Sequence, residues 1–143
     1  MTHPDAKFEK MTRSNTPLYG SRKLLLCGFS GKAQEKFLAM LKMAGLADLD
    51  TVWASKTRAE ETVGGLMTLP GGTGRGESSP LPRAVVAGGI TEAELQALMT
   101  LARKTGMKQT LWAVLTPTSE TWPLGRLLEE LAAERRAMKQ SNR

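Results

Sequence analysis

The stretch CGFSGKAQEKF, Cys27 to Phe37, gathers a thiol, two glycines, a serine and a lysine at the end of an apolar run. These are the residue types of a phosphate-binding loop. A Walker A loop requires G-x-x-x-x-G-K-[ST], because its backbone wraps the phosphates and its hydroxyl reaches magnesium. Counting back from Gly31 and Lys32, the first glycine should stand at Leu26, and the lysine is followed by Ala33 rather than Ser or Thr. The motif fails at both ends. What is left is a strand-to-helix turn whose free amides and dipole could attract an anion, with Gly28, Ser30 and Lys32 in reach. A second such turn, GGITEAE from Gly88 to Glu94, has acids where a phosphate grip wants a lysine. Gly88, Gly89 and Thr91 there complete one candidate ligand site, if both turns share an edge of an open α/β sheet, as the switch-point rule allows.

Other chemistry is thinner. Cys27 precedes a helix start, where a thiolate can be stabilised, but a small residue in an apolar run is first of all a buried one. The single histidine, His3, lies in the basic N-terminal stretch, so Cys–His and Ser–His–Asp mechanisms are excluded. No cluster of Cys, His and acids has metal-ligand spacing. No catalytic residue, metal or cofactor is therefore assigned, and the balance leans away from an enzyme. The string LTPTSETW, Leu115 to Trp122, is the most unusual locally. Its hydroxyls suit helix capping; its alternative use is a partner-docking corner of Thr116, Pro117, Thr118 and Ser119 with Trp122 as the anchor. Glu129, Glu130 and Glu134 alternate with Arg126, Arg135 and Arg136 as surface pairs at helical spacing.

These residues need a scaffold, and the chain supplies it twice. Gly28 falls on Gly89 (89 − 28 = 61), and the same offset pairs Ser30 with Thr91, Phe37 with Leu98, Met40 with Leu101 and Gly45 with Gly106. Each copy then reaches a Trp-Ala strand, TVWA at 51–54 and TLWAVLT at 110–116, with a small change of spacing. Leu24–Cys27 and Ala84–Ala87 suit strands buried on both faces. Ser30 and Thr91 are N-cap types, TEAE is a capping box, and Gly45 and Gly106 are helix stops. Thr57–Glu60 is another capping box, predicting a short helix through about Leu66. Gly, Pro and Ser predict a flexible loop over 70–82. Pro123 and the stripe Leu124, Leu127, Leu128 and Leu131 predict a long C-terminal helix. The expected fold is α/β: duplicated βαβ units, about 23–54 and 84–116, forming a four-stranded sheet covered by helices, with a C-terminal helix. A ferredoxin-like α+β arrangement, its second strands antiparallel at the edges, has the same element order. One domain spans 22–138, with a disordered basic tail over 1–21 and a frayed end over 139–143.

At 143 residues, 41% of them hydrophobic, the chain can bury a core unaided. One cysteine precludes an internal disulfide and suits a reducing cytosol. No apolar run approaches a membrane span and the N-terminus has no apolar signal region, so a cytoplasmic location is expected. The net charge of +6 is concentrated at the ends, and the basic residues are not interleaved with the aromatics a single-strand stacking platform needs. Nucleic-acid binding is disfavoured.

Gly89, Thr91, Glu94 and Leu95, with the string Ala113 to Ser119 and Trp122, give the second half a pattern of its own. It resembles a family of small prokaryotic proteins classed as a domain of unknown function, which share a V-L-T-P-T-[NS]-x-x-W segment leading into a helix rich in Leu and Glu. The resemblance covers the last 60 or so residues closely and the first copy loosely; it implies a fold and no activity. The leading expectation is a non-catalytic, cytosolic binding module for another protein or a small ligand, a homodimer being one form. The alternatives are a small enzyme or nucleotide-binding protein using the glycine turns, and a weak nucleic-acid binder.

Overall fold

The computed structural model describes residues 16–107 and 109–141. The first unit is β1 (Lys23–Cys27), α1 (Lys32–Met43) and β2 (Asp50–Ala54), followed by a 3-10 turn over Lys56–Arg58 and the short α2 (Val63–Met67). The second is β3 (Ala84–Gly88), α3 (Glu92–Lys104) and β4 (Leu111–Val114), then a 3-10 turn over Ser119–Thr121 and the long α4 (Leu124–Ser141). Apolar strands and glycine-stopped amphipathic helices force this alternation, since each strand must bury two faces and each helix one stripe. Leu24 and Leu26 face α1 and α3, while Leu25 and Cys27 face α2 and α4. The result is a sheet between two helical layers.

The strand order is β2-β1-β3-β4. Strands are parallel within each unit and antiparallel where the units meet. The second strands do lie at the edges, as a split βαβ requires, but each runs parallel to the first strand of its own unit. The ferredoxin-like alternative is thereby set aside in favour of the α/β arrangement.

The registers carry a local symmetry. Lys23 pairs with Asp50 and Ala84 with Leu111, the same separation in both units (50 − 23 = 27; 111 − 84 = 27). At the seam Leu25 faces Val86, flanked by Leu24–Ala87 and Leu26–Val85; a shift of 61 exchanges the flanking pairs and keeps the central one. A two-fold axis normal to the sheet therefore passes beside Leu25 and Val86. It reaches beyond the strands: Val63 N–H donates to the Trp122 carbonyl and Leu124 N–H to the Glu61 carbonyl, both at 2.9 Å, and buried Val63, Leu66 and Met67 correspond to buried Leu124, Leu127 and Leu128. The same registers correct the alignment of the Trp-Ala strands. Trp53 corresponds to Val114 and Trp112 to Thr51, with no change of spacing; the shared dipeptide is coincidental.

Local caps differ in part from expectation. Thr91 and Glu94 form the reciprocal capping box on α3. The N-cap of α1 is Gly31 rather than Ser30. Over Thr57–Glu60 no capping box forms; a 3-10 turn intervenes, and α2 begins after Thr62, whose hydroxyl accepts from Gly65 N–H. Of the stretch expected as a tail, 1–15, His3 included, lie outside the described residues. Pro17 bridges to Thr91, and Leu18 N–H donates to the Ile90 carbonyl at 2.7 Å.

Candidate functional site

The six glycine-turn residues are not brought together. Because β1 and β3 are antiparallel, Gly28 lies beside Arg83 and Gly89 beside Arg22, at opposite ends of the sheet. Six residues of strand separate the two levels, roughly 20 Å at about 3.4 Å per residue. The switch-point arrangement requires parallel strands at this junction, which the seam replaces.

Each turn is closed by the chain itself. Gly28, with φ of 77°, presses so near the 81–83 backbone that a Cβ would stand 2.5 Å from the Leu81 carbonyl oxygen. Its N–H donates to Ser79 Oγ at 3.0 Å, Ser79 Oγ donates to the Ala54 carbonyl at 2.9 Å, and Ser79 N–H donates to Ser30 Oγ at 2.8 Å. The serine expected to cap α1 is thus engaged by a residue 49 positions away. Lys32 is exposed at the start of α1. At the other end Gly89 N–H donates to the Tyr19 carbonyl at 3.1 Å, a Cβ on Gly88 would meet the Ser21 carbonyl oxygen at 2.7 Å, and Thr91 is held by its capping box. Beside it Arg22 grips Glu94 with two bonds of 2.8 and 2.9 Å and Asp48 with one of 3.2 Å. The guanidinium lowers the Glu94 carboxyl to about 2, and the two carboxylates push Arg22 upward. The Gly28 and Gly89 amides and the Ser30 and Thr91 hydroxyls, which could have held an anion, are engaged by the chain itself.

The loop over 70–82, expected to be flexible, is fastened by a residue the periodicity hides. Gln34 stands on α1 at 2% exposure; its Nε2 donates to the Phe29 carbonyl at 3.1 Å and the Glu77 carbonyl at 3.3 Å, and its Oε1 accepts from Arg75 Nε at 3.1 Å and Gly76 N–H at 2.9 Å. Its amide is satisfied on both sides, as a buried polar group must be. Further back the loop lies along β2: Gly72 N–H donates to the Thr51 carbonyl at 2.6 Å and Trp53 N–H to the Thr73 carbonyl at 2.8 Å. One polar residue in the buried stripe of α1 was the only sequence signal for this clasp.

The Thr116–Trp122 corner is compact. Thr116 Oγ1 donates to Ser119 Oγ at 3.0 Å, Thr116 N–H donates to the same oxygen at 3.1 Å, and Ser119 N–H donates to Thr116 Oγ1 at 2.9 Å. Pro117 and Thr118 are exposed, and the Thr118 carbonyl accepts from Thr121 Oγ1. Glu120 accepts a short hydrogen bond from the Tyr19 hydroxyl. Trp122 is half-buried on the lower core, with the Arg126 guanidinium 4.1 Å above its ring. Cys27 is fully buried, and burial pushes its thiol up to about 12, which fits a core residue. Among the described residues no group of His, Cys, Asp and Glu could hold a metal ion, and no helix is long and apolar enough to cross a membrane.

Fold and site together define an α/β/α sandwich of two symmetry-related units whose strand-end turns are sealed by its own chain. Within it, residues 83–138, which is to say β3 through most of α4, match the family model described as a domain of unknown function (DUF3783). That is one unit of the two, less than half of the chain. No curated protein and no solved structure matches.

Proposed function

We propose that the protein is a non-catalytic binding module whose working surface is the N-terminal half of α4. The observation that carries this reading is a cleft of about 320 Å³ where α4 passes the 81–82 segment, walled by Leu81, Pro82, Gly125, Leu128 and Ala132, with Glu129 and Arg136 at its rim. Apolar walls with a few charged groups at the mouth are the usual make-up of a ligand or partner site. Arg126, whose guanidinium lies over the Trp122 ring, stands three residues before Glu129 at the rim of the cleft, and residues three apart are neighbours on a helix, which links the corner singled out by the LTPTSETW string to that rim. The glycine turns support the same choice, since the Gly28 and Gly89 amides and the Ser30 and Thr91 hydroxyls are already engaged by the chain itself.

Ala132→Trp would fill the cleft from a half-buried position without removing a core contact. Native mass spectrometry of the protein purified from its own host should then show the co-purifying protein or small molecule lost from the variant and kept by wild type, with unchanged thermal unfolding. A companion that stays bound to the folded variant would place the site elsewhere.

A further inference from the structure

The two edges of the sheet are related by the two-fold axis but are not treated alike. On β2 the outward groups are the Thr51 carbonyl and the Trp53 amide, and the 70–82 loop satisfies both. The offset of 61 carries these positions to the Trp112 carbonyl and the Val114 amide on β4. In a parallel ladder with β3 the inward bonds belong to Leu111, Ala113 and Leu115, so Trp112 and Val114 present theirs outward. No backbone partner meets them among the described residues. The reason lies in the helices. After α2 the chain breaks at Pro70 and returns along β2; α4 runs on to Ser141, and among the described residues no segment returns along β4.

The bare edge sits in an apolar frame. Beside it a groove of about 210 Å³ is lined by Met99, Trp112, Leu131 and Met138 among others, and Met138 is 66% exposed. It is also polarised along its length. Arg135 donates to the Gln109 and Thr110 carbonyls, which places the basic C-terminal part of α4, with Lys139, at the start of β4; Arg103 and Lys104 end α3 at the same level. Glu92 opens α3 at the other end, where Ala87 pairs with Val114. The helix dipoles run the opposite way, negative at the C-terminal ends and positive at the N-terminal end of α3, so the polarity rests on the side chains. An antiparallel copy of the same edge would set each basic end against an acidic end.

We infer that β4 is an interaction edge and that its partner is a second copy of this chain, joined β4 to β4 about a two-fold axis at Ala113 into one eight-stranded sheet. An exposed edge of unpaired amides and carbonyls is a template for strand addition, an isologous contact requires a self-complementary patch, and this edge has the charge pattern for it. The seam between β1 and β3 is the same antiparallel, two-fold arrangement formed within one chain.

Sedimentation equilibrium of the full chain, from micromolar to near-millimolar concentration, tests the inference. Wild type should dimerise, more weakly at high salt. Val114→Pro deletes an outward N–H and leaves the β3 ladder bonds in place; losing one hydrogen bond from each chain should raise the dimer dissociation constant roughly 10- to 30-fold with native circular dichroism retained. Arg103→Glu should weaken the dimer and Glu92→Arg with Arg103→Glu should restore it, a reversal no loss of stability could imitate, and this pair decides the matter if the proline variant does not fold. A wild-type chain monomeric throughout, a dimer indifferent to Val114→Pro in a folded variant, or a charge reversal without rescue would overturn it.

Discussion

Arg22 and Glu94 join the approach to β1 with the first turn of α3, and their bidentate pair should be visible in the pH dependence of stability. Glu94 is lowered from its ordinary 4.5 to about 2 in the folded chain. A carboxyl whose proton is bound more weakly when folded contributes stability that is complete above the unfolded value and is lost as pH falls through the folded one. Stability should therefore drop between about 4.5 and about 2, and Glu94→Gln should flatten that part of the curve, read as the difference between wild-type and variant urea unfolding at each pH. Identical slopes would mean that the pair does not couple to folding. Trp122 makes a second case at this scale. Emptying a fully buried aromatic site costs about 3–5 kcal/mol; a half-buried ring under a guanidinium should cost about 2 kcal/mol. Chemical denaturation of Trp122→Ala measures it, and a loss in the upper range would make Trp122 part of the core instead of a surface plate.

Elements were legible where their causes are local. Thr91 with Glu94 three residues on, the apolar stripe of α3 and the stops at Gly45 and Gly106 all work within one turn of helix, and each appears as the sequence implies. Ser30 has an equally suitable hydroxyl, yet Ser79 engages it from the other side of a long loop, and no window around Ser30 contains that competitor. Thr57–Glu60 carries the letters of a capping box, but Glu61, Val63, Trp122 and Leu124 exchange backbone bonds across the axis, which delays α2 until Thr62. Strand direction was undecidable for a related reason: βαβ order is common to both folds, and only the parallel pairing of each edge strand with the first strand of its own unit, Lys23 with Asp50 and Ala84 with Leu111, selects between them. The six glycine-turn residues were grouped wrongly for a similar cause, since composition names the glycines and the antiparallel seam sends them to opposite ends. The Thr116–Trp122 corner was singled out by its unusual string, whereas the cleft along α4 depends on Leu81 and Pro82, far from α4 in sequence.

Across the whole molecule, the family match ends where the internal symmetry divides the chain: residues 83–138 are a unit whose first strand is completed by β1 of the other. The first unit thus supplies the hydrogen-bonding neighbour that β3 requires, and the 70–82 loop in turn finishes β2. Gln34 is the fastening of that loop, and what it controls is the valence of the molecule. With β2 covered, one bare edge remains among the described residues, and a particle that adheres through one such edge can only pair and stop. Removing the clasp by Gln34→Ala leaves the Phe29 carbonyl without its buried partner, at about 1–3 kcal/mol for such a loss, and releases Gly76 and Glu77 so that the loop can lift. The particle then has an edge on each side, and head-to-tail growth through unlike edges does not close. Light scattering of Gln34→Ala should rise with concentration toward long ribbons and that of wild type should level off; equal scattering from both would show that the clasp has no bearing on assembly. One buried amide would then set the difference between a finite complex and a polymer.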